Sequence, residues 1–130
     1  MKLRQEGHSG PLAGLKMLDL SRLLPGPYCT LQLADLGMEV LKVEDPEQGD
    51  YMRMMGTVRK NDGAYFLALN RNKKSMILNL KVEEGKKIFY KLIETYDIVL
   101  EGFRPGVMDR LGIGYQELKK RNPGVILCSL

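Results

Sequence analysis

The residues of this chain best suited to chemistry are cationic. Asn70-Arg71-Asn72-Lys73-Lys74-Ser75 stands directly before the alternating run Met76-Ile77-Leu78-Asn79-Leu80-Lys81. A strand that opens on adjacent ammonium groups and closes on another is a platform for a polyphosphate, because charge-assisted hydrogen bonds outcompete neutral ones. The same pattern describes an exposed sheet edge, where lysines block edge-to-edge pairing. Taken alone, the segment fits the edge better.

A second group follows an apolar run. Phe103 and Arg104 lie in the Gly/Pro-framed loop Gly102-Phe103-Arg104-Pro105-Gly106, and Arg110 comes one or two helical turns later. One ring and two guanidinium groups suit an adenine ring with its phosphates. Alternatively, Phe103 plugs the core and the arginines pair with carboxylates. Both readings stand.

Acid–base and metal chemistry find less support. His8 is the only histidine and lies in a polar opening stretch, residues 1–10, where a catalytic role is not expected. Asp19, Glu44, Asp45, Asp50 and Glu101 fall near strand ends, but no two are spaced as an acid/base couple. No Ser/His/Asp set, Walker loop or metal-ligand cluster can be assembled, so neither a catalytic residue nor a metal is expected here. Cys29 and Cys128 form no CxxC pair, which argues against a zinc site or a disulfide framework and for two buried, reduced thiols.

The bulk numbers set the frame. At 130 residues the chain is the size of one domain, and 44% hydrophobic with 28% charged residues is the balance of a packed protein rather than a disordered one. The net charge of +4 is spread along the chain, which favours a small anionic ligand over nucleic acid. With no Trp and few aromatic residues, a base-stacking platform is not signalled. No apolar leader or membrane-length run is present, so a cytoplasmic protein without membrane contact is expected.

The elements that must position these residues alternate. Leu15 to Leu20 reads as a strand, Ser21 to Pro27 as a turn, and Pro27 fits the first turn of a helix carrying Leu31, Leu33, Ala34 and Leu36 to a stop at Gly37. That helix could offer N–H groups to an anion, although the turn lacks a G-x-G-x-x-G fingerprint. Glu39 to Glu44 reads as a strand, alternating only in part. Asp45 to Gly63 reads as a surface excursion in which Met52, Met54 and Met55 pack adaptably, on core, lipid or a second subunit. A short helix at Tyr65 to Leu69 and a strand from Ser75 to Leu80 follow. Glu83 to Tyr96 has helical spacing of Ile88, Phe89, Leu92, Ile93 and Tyr96, with early acids suited to the helix dipole. Asp97 to Glu101 is a buried strand, Val107 to Leu111 and Tyr115 to Arg121 are short helices, and Val125 to Leu130 is apolar. The alternation predicts an α/β fold: a parallel, doubly wound sheet with flanking helices and ligands at the strands' carboxyl ends.

Several of these segments, in order and at natural spacing, resemble one family. They are Leu12-Ala13-Gly14-Leu15-Lys16-Met17-Leu18-Asp19-Leu20, Leu24-Pro25-Gly26-Pro27, Leu33-Ala34-Asp35-Leu36-Gly37-Met38-Glu39-Val40-Leu41-Lys42-Val43-Glu44, Asn70 to Ser75, and Glu101-Gly102-Phe103-Arg104-Pro105-Gly106-Val107-Met108. Together they resemble the amino-terminal region of class III CoA-transferases, the carnitine dehydratase/bile-acid-inducible protein family, which includes formyl-CoA transferase and α-methylacyl-CoA racemase. The resemblance implies that residues 11–130 are the amino-terminal, CoA-binding part of a longer Rossmann-like domain whose subunits interlock as a homodimer. It implies coenzyme A or acyl-CoA as substrate, with Leu23, Leu24 and Pro25 near its pantetheine or adenine. Leu78 and Lys81 would border the nucleotide; Phe103, Arg104 and Arg110 would hold its ring and phosphates; Lys73 and Lys74 would neighbour phosphate by charge. Asp45 stands where many relatives have an arginine, and Gly102 where they often have Asn.

The resemblance further implies transfer of CoA between carboxylic acids through an aspartyl intermediate, on an aspartate beyond the equivalent of Leu130. An α-methylacyl-CoA racemase, moving an α-proton, is the alternative. A non-catalytic assembly module using the basic strand and the Met-rich loop is a third.

Overall fold

The computed structural model describes residues 9–59 and 62–130, so His8 and most of the polar opening stretch lie outside the described residues. In chain order the elements are β1 (Lys16–Asp19), α1 (Pro25–Asp35), β2 (Glu39–Glu44), a 3₁₀ turn (Tyr51–Met54), β3 (Val58–Arg59), β4 (Asp62–Gly63), α2 (Ala64–Asn70), β5 (Lys74–Ile77), α3 (Glu83–Ile93), β6 (Ile98–Glu101), α4 (Val107–Arg110), α5 (Tyr115–Arg121) and β7 (Ile126–Ser129). Five strands form one parallel sheet in the order β5-β2-β1-β6-β7, while β3 and β4 make a small antiparallel pair. Chain order runs outward from β1 to one edge and then restarts beside it, with Met17 in register with both Val40 and Ile98. The point of reversal, between β1 and β6, is where doubly wound sheets open a ligand crevice.

Both faces of the sheet are covered, and the strands therefore bury consecutive residues. On one face Leu18, Leu41, Val43 and Val99 meet Phe89 and Ile93 of α3, Met108 of α4 and Leu118 of α5. On the other, Met17, Val40 and Leu100 meet Ala34 of α1 and Met38. Period-two alternation sends Lys42 and Glu44 of β2 to this second face as well, and both are buried. That is why β2 alternates only in part as a sequence.

Some expected boundaries move. The strand expected to reach Leu80 ends at Ile77, because the chain turns where the Asn79 carboxamide oxygen accepts the Lys81 N–H at 2.9 Å. The helix expected to reach Tyr96 ends at Ile93, with Thr95 N–H bonded to the Leu92 carbonyl in a closing turn. Ile88 is exposed rather than in the core, whereas Tyr96 is buried. Of the three methionines in the surface excursion, Met52 packs inward while Met54 and Met55 are exposed. Cys29 and Cys128 are half-buried and reduced, both packed against the α1-side core.

Candidate functional site

A hollow of about 290 Å³ opens at the carboxyl ends of β1, β2, β5 and β6. Leu20 and Arg22 enter it from the end of β1, Val43 to Asp45 from β2, Leu78 and Lys81 from beyond β5, and Phe103 from beyond β6. Four loops thus converge, as sheet topology dictates for a site at the switch point. The floor is aliphatic and aromatic and the rim is charged, a layout suited to an apolar ring with polar substituents.

The loop after β6 is fixed from below. Glu101, buried at the strand end, accepts the Phe103 N–H on Oε2 at 2.6 Å, and the Phe103 ring packs partly on the core while one side lines the hollow. Phe103 is thus part of the core and part of the hollow's lining.

At the rim, Asp45 Oδ2 lies 3.8 Å from Arg22 Nη2 and 3.6 Å from Lys81 Nζ. Its Oδ1 accepts the N–H groups of Glu47 at 2.9 Å and Gln48 at 3.2 Å, which pins the carboxylate. The Glu47 N–H leads in holding the carboxyl below its ordinary range, against burial, with Lys81 and Arg22 adding to it. Arg22 also stacks over the Tyr51 ring at 5.6 Å. Arg22 and Asp45 belong to the hollow although sequence reasoning passed over the first and read the second as one of several strand-end carboxylates, standing where many relatives have an arginine. The available clue was position, since each closely follows a strand of the parallel sheet.

The remaining expected residues divide. Leu78, Lys81 and Phe103 share this hollow. Arg104 opens with Phe103 onto an adjoining one of about 350 Å³, walled by Tyr115 and Leu127. Leu23, Leu24 and Pro25 form the exposed turn that follows Arg22. Arg110 is exposed on α4, its Nη1 only 3.3 Å from where a side chain on Gly106 would begin. Neither Arg104 nor Arg110 makes an ion pair among the described residues.

The two adjacent lysines, expected as phosphate neighbours, both lie outside the lining of this hollow. Lys74 lies at the amino end of the edge strand β5, 3.4 Å from Glu39, and is a true edge lysine. Lys73 points into the α1 side of the sheet, its side chain 1% exposed. There its Nζ donates to Pro27 O at 2.8 Å and Asn70 Oδ1 at 2.9 Å, and reaches Asp19 Oδ2 at 3.4 Å. An ammonium so committed has no donor to spare. Burial drives its pKa down to about 8, against the pull of Asp19.

The amino end of α1 is also poorly equipped for an anion. Pro25 and Pro27 both occupy its first turn, so two of its three leading residues lack an N–H, and the third, Gly26, is buried against Ser21. The turn's shape comes instead from a buried polar layer. Asp19 accepts Ser21 N at 2.9 Å and Thr30 Oγ1 at 2.6 Å, Lys42 Nζ donates to Ser21 O at 2.9 Å, and Asp50 Oδ1 accepts Leu23 N at 3.2 Å. These contacts hold Leu23 at φ +64, a conformation a branched side chain adopts rarely.

Among the described residues no helix is long and apolar enough to cross a membrane. Compared with known proteins, residues 12–130 match the model of a family described as CoA-transferase family III. The chain is 46% identical over 130 residues to an acyl-CoA transferase of Fusarium pseudograminearum, covering 93% of this chain and 28% of that protein. It is 45% identical over 120 residues to an acetyl-CoA:oxalate CoA-transferase of Acetobacter aceti, covering 92% of this chain and 31% of that one. A crystal structure of a CAIB/BAIF family protein from Brucella suis superposes with a TM-score of 0.86 at 41% identity, over 92% of this chain and 33% of that one. The chain thus spans about 30% of the length of the two curated relatives.

Proposed function

The chain belongs to CoA-transferase family III, and from that premise we propose that it supplies the coenzyme A clamp of an enzyme that moves CoA from an acyl-CoA to a carboxylic acid. The reacting group is an aspartate outside these residues, acting through an aspartyl intermediate, and the working form is a homodimer in the cytoplasm. The contribution of the residues described here is binding. Contacts to the nucleotide, remote from the thioester, fix the reactants in place and supply energy that is realised at the reacting carbonyl.

The observation that supports this reading is the convergence of Leu78, Lys81 and Phe103, from separate loops, on one hollow at the switch point of the sheet. The relatives reported above carry transferase names, which favours transfer over racemisation. Calorimetric titration of the full-length protein with CoA tests the site. Lys81→Ala and Phe103→Ala should each weaken binding about tenfold, equivalent to roughly 1.4 kcal/mol. Arg104→Ala tests the adjoining hollow in the same way. Unchanged affinity in all three variants would remove the site assignment.

A further inference from the structure

We infer that Asp45 is a specificity-determining residue that accepts a ribose hydroxyl while Arg22 and Lys81 take the phosphate on the neighbouring carbon, so that the hollow selects a ribonucleotide phosphorylated next to a free hydroxyl. The inference deepens the CoA reading and rests on it.

The geometry of the carboxylate leads there. Oδ1 is filled by the Glu47 and Gln48 N–H groups, so the side chain cannot swing out of the hollow without breaking its own turn. Oδ2 faces Arg22 and Lys81 at 3.8 and 3.6 Å, beyond hydrogen-bond reach of either. It is an acceptor held in place with no close donor from those two cations, at the end of the second strand of a doubly wound sheet, where a carboxylate can take a ribose hydroxyl.

The charge pattern narrows the ligand. Asp45 would repel a bare phosphate placed on it, and Arg22 with Lys81 would repel a cation. A neutral donor beside an anion satisfies all three groups, and a ribose with vicinal hydroxyl and phosphate presents that pair on adjacent carbons. Phe103, across the hollow, offers an aromatic surface for the attached base. The other carboxylate of the lining, Glu44, is engaged by Arg53 Nε at 2.7 Å and does not compete.

The test compares adenosine 3′,5′-bisphosphate with its 2′-deoxy analogue by calorimetry on the full-length protein, in wild type, Asp45→Asn and, as a control for charge alone, Glu47→Gln. The amide of Asp45→Asn can keep the turn through its oxygen, but then presents an NH₂ group to the hollow. Wild type and Glu47→Gln should bind the ribonucleotide at least tenfold tighter than the deoxy form, and Asp45→Asn should discriminate less than about threefold. Equal binding of the two nucleotides by wild type, or full discrimination by Asp45→Asn, would overturn the inference while leaving the CoA reading intact. If wild type binds neither bisphosphate and CoA does not bind either, the CoA reading fails and takes this inference with it.

Discussion

Lys42 Nζ lies 2.8 Å from Asp50 Oδ2, and the two side chains are 1% and 0% exposed. One comes from the middle of the sheet and the other opens the 3₁₀ turn, so the pair fastens the surface excursion to β2. Both partners then reach the turn after β1, Lys42 through the Ser21 carbonyl and Asp50 through the Leu23 N–H. One buried ion pair therefore joins two walls next to the hollow. Removing a single partner leaves an uncompensated buried charge. Asp50→Asn or Lys42→Met should destabilise by about 3–5 kcal/mol, and Lys42→Met combined with Asp50→Asn should lose clearly less than the sum of the two. Urea unfolding of the three variants measures it; additive losses in the double variant would show that the two charges do not act as a pair.

A second prediction concerns acid. Burial raises the Glu44 carboxyl, but the Arg53 fork, the Ser75 hydroxyl and the Asp50 N–H outweigh it and bring its pKa down to about 2. The folded-state value is thus below the unfolded one. The contribution is complete above about pH 4.5 and is lost as pH falls towards 2. Glu44→Gln should be less stable than wild type at neutral pH, and the gap should close below pH 4. Thermal unfolding across that range decides it, and a gap independent of pH would sink the assignment.

How much of this was legible in the sequence depends on what each residue faces. The helix after Val82 was legible because Phe89, Ile93 and neighbouring charges separate cleanly at helical spacing. The strand β2 was found, but its polar interior was hidden: nothing local marks Lys42 and Glu44 as inward-facing when the residues that neutralise them, Asp50 and Arg53, follow in a segment without periodicity. Lys73 and Lys74 differ by one position, and in extended chain that reverses the face. Nothing local says which of the two turns inward. The hollow was half legible. Phe103 and Lys81 were flagged by chemistry, whereas Arg22 and Asp45 meet only through the parallel pairing of distant strands.

Leu23 carries a third prediction. Its φ of +64 is disfavoured for a branched side chain by about 1–2 kcal/mol, while glycine adopts it freely. Leu23→Gly relieves that strain and loses unfolded-state order, worth roughly 0.5–1 kcal/mol in the opposite direction. Stability should therefore stay level or rise by up to about 1.5 kcal/mol. If the strained turn serves CoA, the same variant should bind CoA more weakly. A variant that is both destabilised and unchanged in affinity would remove the functional reading of this turn.

Alkali gives the last prediction, through Lys73. Burial depresses its pKa to about 8, Asp19 opposes this, Lys42 adds to the depression and Asp50 counters it. The unfolded chain keeps the ordinary value of 10.5, so between about pH 8 and 10.5 the unfolded state holds more protons than the folded one. Stability contributed at this site therefore rises with pH across that window, by at most about 1.4 kcal/mol per pH unit for one proton. Two groups work the other way. The Cys29 thiol is raised by burial, with Cys128 and Asp19 adding to the rise, and the Tyr96 hydroxyl is raised by burial and by Glu39; each lowers stability as pH climbs. Tyr96 is common to wild type and Lys73→Met and cancels in their difference, whereas Lys73 itself lowers the Cys29 thiol, so the comparison is made with Cys29→Ser in both proteins. In that background the protein with Lys73 should gain on the Lys73→Met variant between pH 8 and 10. A constant difference over that range would mean that the ammonium keeps its proton, with the Asp19 carboxylate and the Pro27 and Asn70 oxygens compensating its burial in full.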